Sequence, residues 1–133
     1  MQSKNLNEYL TTHFKLSEFH CKDGTPVPSK YYSNVKELAR NLQALRDNIG
    51  RPVIISGSGY RTPEWNKKVG GAPQSQHLTA SAADISVAGM TPQALAQQIE
   101  QLIKLGIMKQ GGVGVYKTFV HYDIRGAKAR WQG

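Results

Sequence analysis

A single cysteine, Cys21, occurs in the 133 residues, so no disulfide forms within the chain and no site is built on two or more of its own thiolates. A packed or idle thiol is the role expected of it. No apolar run approaches the roughly 18 residues that a membrane span requires, which argues against membrane insertion. The polar opening Met1-Gln2-Ser3-Lys4-Asn5-Leu6-Asn7 lacks the apolar stretch of a secretory signal, so the chain is not expected to direct its own export. Acidic residues are scarce: nine against seventeen basic ones, a net charge of +8. Such an excess attracts polyanionic partners, among them nucleic acid and anionic cell wall. The basic residues are scattered rather than gathered in a stripe, and no nucleic-acid motif is recognisable, so nucleic-acid binding is not expected. No internal repeat or low-complexity tract is present.

What remains is the composition of an ordinary globular protein, 39% hydrophobic and 20% charged, of a length that fits one domain over residues 1–133. From Ser29 to Gly50 the apolar positions Tyr31, Val35, Leu38, Leu42, Leu45 and Ile49 recur every three or four residues, which draws one stripe on a helix. Gly50 is placed to stop it. Pro52-Val53-Ile54-Ile55-Ser56 reads as a short buried strand, broken by Gly57-Ser58-Gly59. Thr62-Pro63-Glu64 supplies an N-cap hydroxyl, a proline at the first helical position and an early acid, which predicts a short helix to about Val69. Ala72 to Thr79 reads as loop and Ala82 to Val87 as a strand. Thr91-Pro92 repeats the helix-start signal, and Leu95, Ile99, Leu102 and Ile103 give that helix an apolar face ending at Gly106. Val113 and Val115, then Phe119, His121 and Asp123, alternate across a short turn at Tyr116-Lys117-Thr118, which predicts two antiparallel strands. Together these elements predict an α+β fold: a small antiparallel sheet with helices packed on one face.

Four histidines occur, and two lie beside acids. In Ser75-Gln76-His77-Leu78-Thr79-Ala80-Ser81-Ala82-Ala83-Asp84 the small residues let the chain turn from loop into strand, so that His77 and Asp84 can face one point. In Phe119-Val120-His121-Tyr122-Asp123 the period of two places Phe119, His121 and Asp123 on one strand face. Two imidazoles and a carboxylate suit a catalytic zinc, which keeps a fourth position for water. The bland alternative is a pair of hydrogen-bonded histidines and a capping aspartate. His13 and His20 are expected in surface or capping roles.

Ser56-Gly57-Ser58-Gly59-Tyr60-Arg61, Val69-Gly70-Gly71, Ser75-Gln76-His77 leading to Ala82-Ala83-Asp84, and Phe119-Val120-His121-Tyr122-Asp123 occur in an order and spacing that resembles the M15 peptidases. These are the D-alanyl-D-alanine carboxypeptidases and murein endopeptidases, which share their fold with the hedgehog signalling domain. The resemblance spans most of the chain. It implies that His77, Asp84 and His121 bind zinc and that Arg61 contacts substrate and the negative charge that develops on it. Ser75 matches a serine that bonds substrate or orders the loop, and Tyr60 either lines the cleft or packs.

The sequence departs from the family pattern at two positions. Ala80 stands where many members have glycine, and Thr118 stands where well-studied branches carry an acidic general base three residues before the last histidine ligand. Threonine cannot take that proton. Strand alternation offers Asp123 instead, either as the base or as a hydrogen-bond partner that fixes a ligand imidazole. The resemblance thus implies a zinc peptidase acting on peptidoglycan peptides; a monomer is expected, and the missing signal and small size are compatible with a phage or prophage lytic enzyme released through the membrane by other factors. The alternative is a zinc-stabilised wall-binding module with little or no turnover.

Overall fold

Capping chemistry in the sequence sets the helix boundaries of the computed structural model, which describes residues 8–133. The Met1–Asn7 opening, and with it the expectation about export, lies outside the described residues. Helix α1, Tyr32–Ile49, ends where Gly50 turns left-handed at φ 74°. In α2, Pro63–Lys68, the Thr62 hydroxyl accepts the Trp65 N–H at 3.1 Å. In α3, Pro92–Lys104, Thr91 caps Ala94 in the same way at 3.1 Å. Both caps satisfy a backbone donor that the helix cannot bond internally.

Five strands form one sheet in the order β1-β2-β4-β3-β5. They are β1 Ile54–Ile55, β2 Ala82–Ser86, β3 Gly112–Val115, β4 Val120–Asp123 and β5 Ala129–Gln132. The α+β class is as expected; the sheet differs in one respect. It is mixed rather than purely antiparallel, because β5 runs parallel to β3. Ala129-Arg130-Trp131-Gln132 carries no apolar alternation and sits half exposed at a sheet edge, so its sequence gives no strand signal.

Register divides the sheet into two faces. Opposite Ala83 on β2 lies Tyr122 on β4, and opposite Tyr122 lies Val113 on β3. These residues, with Ile85 and Val120, join Val35, Leu38, Leu42 and Leu45 of α1 and Leu95, Ile99 and Leu102 of α3 in one buried cluster. Helices α1 and α3 therefore cover one face, as the periodicities predict. On the other face Asp84 lies opposite His121, and His121 opposite Gly114. Cys21 is a buried free thiol within the core. No helix of the described residues is long and apolar enough to cross a membrane.

The N-terminal segment closes the core from below the site. Phe14, Leu16 and Phe19 are buried, and the Phe19 carbonyl accepts the Tyr60 N–H at 2.8 Å. His13 reaches a Gln43 side chain on α1 at 2.8 Å, a surface contact of the kind expected for it.

Ala80 is the one described non-glycine residue with positive φ, at 58°. It ends the short 3-10 turn Gln76–Thr79, which carries His77 into the sheet. The left-handed backbone costs alanine about 1–2 kcal/mol. The methyl, buried in the core, returns about 0.8 kcal/mol, and alanine loses less backbone entropy than glycine on folding, which returns about 0.4–1 kcal/mol. The terms nearly cancel, which explains why alanine is accepted at a position where glycine is common. Ala80→Gly should therefore shift stability by less than about 1 kcal/mol, whereas Ala80→Val, β-branched and overpacked, should cost about 2–4 kcal/mol. Urea unfolding of both variants checks this, and a valine as stable as alanine contradicts it.

Candidate metal centre

Three segments bring their polar side chains to the open face of the sheet. The turn Gln76–Thr79 supplies His77, β2 supplies Asp84 and β4 supplies His121; all three are buried. The loop Ser56-Gly57-Ser58-Gly59-Tyr60-Arg61 threads between them and the N-terminal segment. Its glycines are there for close approach. A Cβ on Gly57 would lie 2.8 Å from the Cβ of Asp84, and one on Gly59 would lie 2.9 Å from the backbone of Phe19. Arg61 N–H donates to the His77 carbonyl at 2.9 Å, and Asp84 N–H to the Ser58 carbonyl at 2.9 Å. Backbone bonds thus lock this loop to both ligand segments.

Hydrogen bonds also set which ring nitrogens face inward. His77 Nδ1 lies 2.7 Å from the Gly59 carbonyl, which only accepts, so the imidazole proton sits there. His121 Nε2 lies 2.7 Å from the Asp123 carboxylate, which likewise accepts. The remaining nitrogens, His77 Nε2 and His121 Nδ1, point bare lone pairs at one oxygen, Asp84 Oδ1, at 3.3 and 3.4 Å. Three acceptors converge with no proton shared among them, and they lie within 4.8 Å of one another. Tetrahedral zinc with bonds of about 2.0–2.2 Å sets its ligand atoms about 3.4 Å apart. The donor set, the tautomers and the spacing all fit that ion.

Burial alone would raise the Asp84 carboxyl pKa, but in the absence of a metal an added proton on His121 or His77 brings a hydrogen bond and charge that hold it well below the usual carboxylate range. Asp123 behaves alike: burial opposes its charge, and the bonds from His121, Arg125 and the Gly112 N–H more than offset that. For His121 burial lowers the pKa, yet Asp123 and Asp84 carry it above its ordinary value.

Of the other residues expected at the site, Arg61 lies 3.6 Å from Asp84 Oδ2 and lines the cleft, held by the Ser58 hydroxyl at 3.0 Å and the Asn66 amide oxygen at 3.1 Å. Ser75 lines the cleft as well, and its hydroxyl accepts the His77 N–H at 3.2 Å, which orders the ligand's own turn. Tyr60 requires a correction. It is 6% exposed, packs in the core against Tyr31 and does not line the cleft. Its neighbour Gly59 faces the site, and the next side chain turns inward. Asp123 touches His121 from the side of the ring opposite Asp84. Thr118 is exposed in the turn between β3 and β4.

Sequence reasoning missed the far wall of the cleft, a space of about 480 Å³. Gly112 and Gly114 leave the site face of β3 bare. The Asp123 carboxylate and an Arg125 amino group fill the first space, and the Trp131 indole fills the second. Trp131 then packs on His121 with ring centroids 4.9 Å apart. The signal was available: glycine at alternate strand positions beside bulky site residues marks close packing on one face.

The family described as Peptidase M15 matches residues 12–123. The chain belongs to the M15 peptidases. A search of curated proteins found no match to it. Members of the family are generally zinc-dependent, and among the described residues of this M15 peptidase the His77, Asp84 and His121 group is the one that could hold the ion.

A proton competes with metal for His121 Nδ1. Because the metal-free pKa is raised above 6.5, apparent zinc affinity should be highest above that value. It should fall about tenfold per pH unit, for each proton displaced, as pH drops through it. Competition with a chromophoric chelator across that range measures the slope; an affinity independent of pH contradicts the ligand assignment.

Proposed function

We propose that this peptidase hydrolyses bonds in bacterial peptidoglycan, in stem peptides or cross-links, with zinc held by His77 Nε2, the Asp84 carboxylate and His121 Nδ1. The observation that carries the reading is the convergence of three bare lone pairs in the cleft of a family of peptidases. A zinc ion held there supplies Lewis acidity, which acidifies water and polarises carbonyls. The chain's own groups do the rest. The Gly59 carbonyl and Asp123 keep the two imidazoles in the tautomers that leave their inward nitrogens unprotonated. Arg61, braced by Ser58 and Asn66, presents donors to the cleft, where they pair a substrate carboxylate or stabilise charge developing on the scissile carbonyl oxygen. Arg125 lines the same cleft. Peptidoglycan stems, rich in free carboxylates, match that cationic lining, and release onto the wall by a phage-type lytic system matches the substrate.

In this reading Asp123 orients His121 and is not the base. Its oxygens accept five hydrogen bonds, from Gly112 N, Arg125 N, Arg125 Nε, Arg125 Nη2 and His121 Nε2. A carboxylate offers about four lone-pair sites, so Asp123 has no capacity left for a water. Strand alternation places it on the right face; the ring it bonds stands between it and the ligand cluster.

One observation favours a second reading. Among the described residues, Asp84 is the sole carboxylate lining the cleft, and a protein that holds the ion without a free base would bind wall peptides with little turnover. Incubation of the metal-loaded protein with purified peptidoglycan separates the two. New amino groups released with zinc and suppressed by chelator support the peptidase; retained binding without release supports the module. Asp123→Asn adds the role of that residue. As an orienting group, its loss should weaken zinc binding about 10–100-fold while saturating zinc recovers most of the turnover. Full zinc occupancy with turnover abolished would restore the base assignment.

A further inference from the structure

With Asp123 committed to His121, the cleft is lined by a held donor whose proton meets no acceptor among the described residues, the phenol of Tyr116. Tyr116 closes β3 and lines the cleft with Arg61, His77 and His121. Its oxygen accepts the Trp131 indole N–H at 2.9 Å. An indole N–H only donates, so the phenol proton must turn elsewhere, and among the described residues no acceptor takes it. The ring is held on several sides. It stacks on Phe119 with centroids 4.5 Å apart and planes 9° from parallel, the Tyr116 N–H bonds the Phe119 carbonyl at 2.9 Å, and Gly133 lies against the Cδ2 and Cε2 side of the ring.

The chain that fixes the phenol also runs to the metal centre. Trp131 sits over Gly114, contacts His121 and supports the Tyr116 oxygen at its indole nitrogen. The donor is therefore preorganised relative to the ligand cluster, and Tyr116 lines the same cleft as Arg61. A fixed donor in a partly enclosed cleft is most effective where negative charge appears during reaction.

We infer that Tyr116 donates a hydrogen bond to the scissile carbonyl oxygen as it becomes an oxyanion, complementing Arg61, and that Trp131 positions it by holding the phenol oxygen. The inference rests on the peptidase reading. No bond to Tyr116 forms and no proton leaves it; the hydrogen bond shortens as charge develops. A donor of this kind acts on the transition state and little on the bound substrate, so its removal lowers kcat and leaves KM nearly unchanged.

Tyr116→Phe keeps the ring, its stack on Phe119 and its place against Gly133, and removes the hydroxyl alone. In the zinc-loaded protein, kcat on a muropeptide should fall about 100-fold, with KM within about threefold of the unaltered value. The same variant should lose about 100-fold in affinity for a phosphinic pseudopeptide, a tetrahedral mimic, while binding the product peptide as before. Trp131→Phe, which keeps an aromatic ring over Gly114 but removes the indole donor, should show the same pattern at smaller size. Unchanged kcat in Tyr116→Phe, or a raised KM with kcat intact, overturns the inference. If the unaltered zinc-loaded protein cleaves nothing, the peptidase reading fails on its own. The phosphinic arm still decides Tyr116: equal affinity in both proteins removes its role.

Discussion

The site depends on one buried carboxylate. Asp84 is 4% exposed, and an ionised group taken so far from water costs several kcal/mol unless its oxygens are occupied. Around it the chain arranges the Ser58 N–H at 3.3 Å and the Arg61 guanidinium at 3.6 Å on one oxygen, and the two imidazoles on the other. The imidazoles do not offset that cost as neutral donors, because their protons are engaged by Gly59 and Asp123. The cluster is electrostatically incomplete without a cation or added protons, and that incompleteness is what suits it to hold a metal.

Much of the surrounding structure follows from this requirement. Gly57 must be small to let Asp84 in, and Gly59 must be small to let the loop lie on Phe19 while its carbonyl reaches His77. Across the sheet, Gly112 and Gly114 clear space for Asp123 and Trp131, which grip His121 from the side away from Asp84. Arg125 in turn neutralises Asp123 with two side-chain bonds at 2.9 and 2.7 Å. Each inward-facing charge is met by another layer, and the helices on the opposite face supply the rigid apolar support against which these layers are held.

The sequence makes the candidate ligands legible because their chemistry coincides with strong local patterns. The period of two in Phe119-Val120-His121-Tyr122-Asp123 identifies the face, the small residues between His77 and Asp84 permit the turn, and Thr62-Pro63 and Thr91-Pro92 mark helix starts that the structure reproduces within a residue or two. Periodicity carries no information about which side of an imidazole a neighbour occupies. Asp123 therefore reads equally as base or orienting group from sequence, which does not carry its five hydrogen bonds. Tyr60 could not be placed for a related reason, since a loop between glycines has no period from which to read inside and outside. Strand β5 escapes because a half-exposed parallel edge strand needs no alternation, and with it escaped Trp131, the residue that joins His121 to Tyr116. As composition the +8 charge points to polyanionic partners in general; in the structure two basic residues, Arg61 and Arg125, line one cleft.

The chemistry of the site turns on which atoms take the metal. Anomalous scattering at the zinc edge from crystals of the zinc-loaded protein resolves this directly. One zinc should appear bonded to His77 Nε2, an Asp84 carboxylate oxygen and His121 Nδ1, at about 2.0–2.2 Å each. Zinc bound elsewhere, or held through His121 Nε2 with Asp123 as a ligand, would contradict the tautomer arrangement on which the site is built.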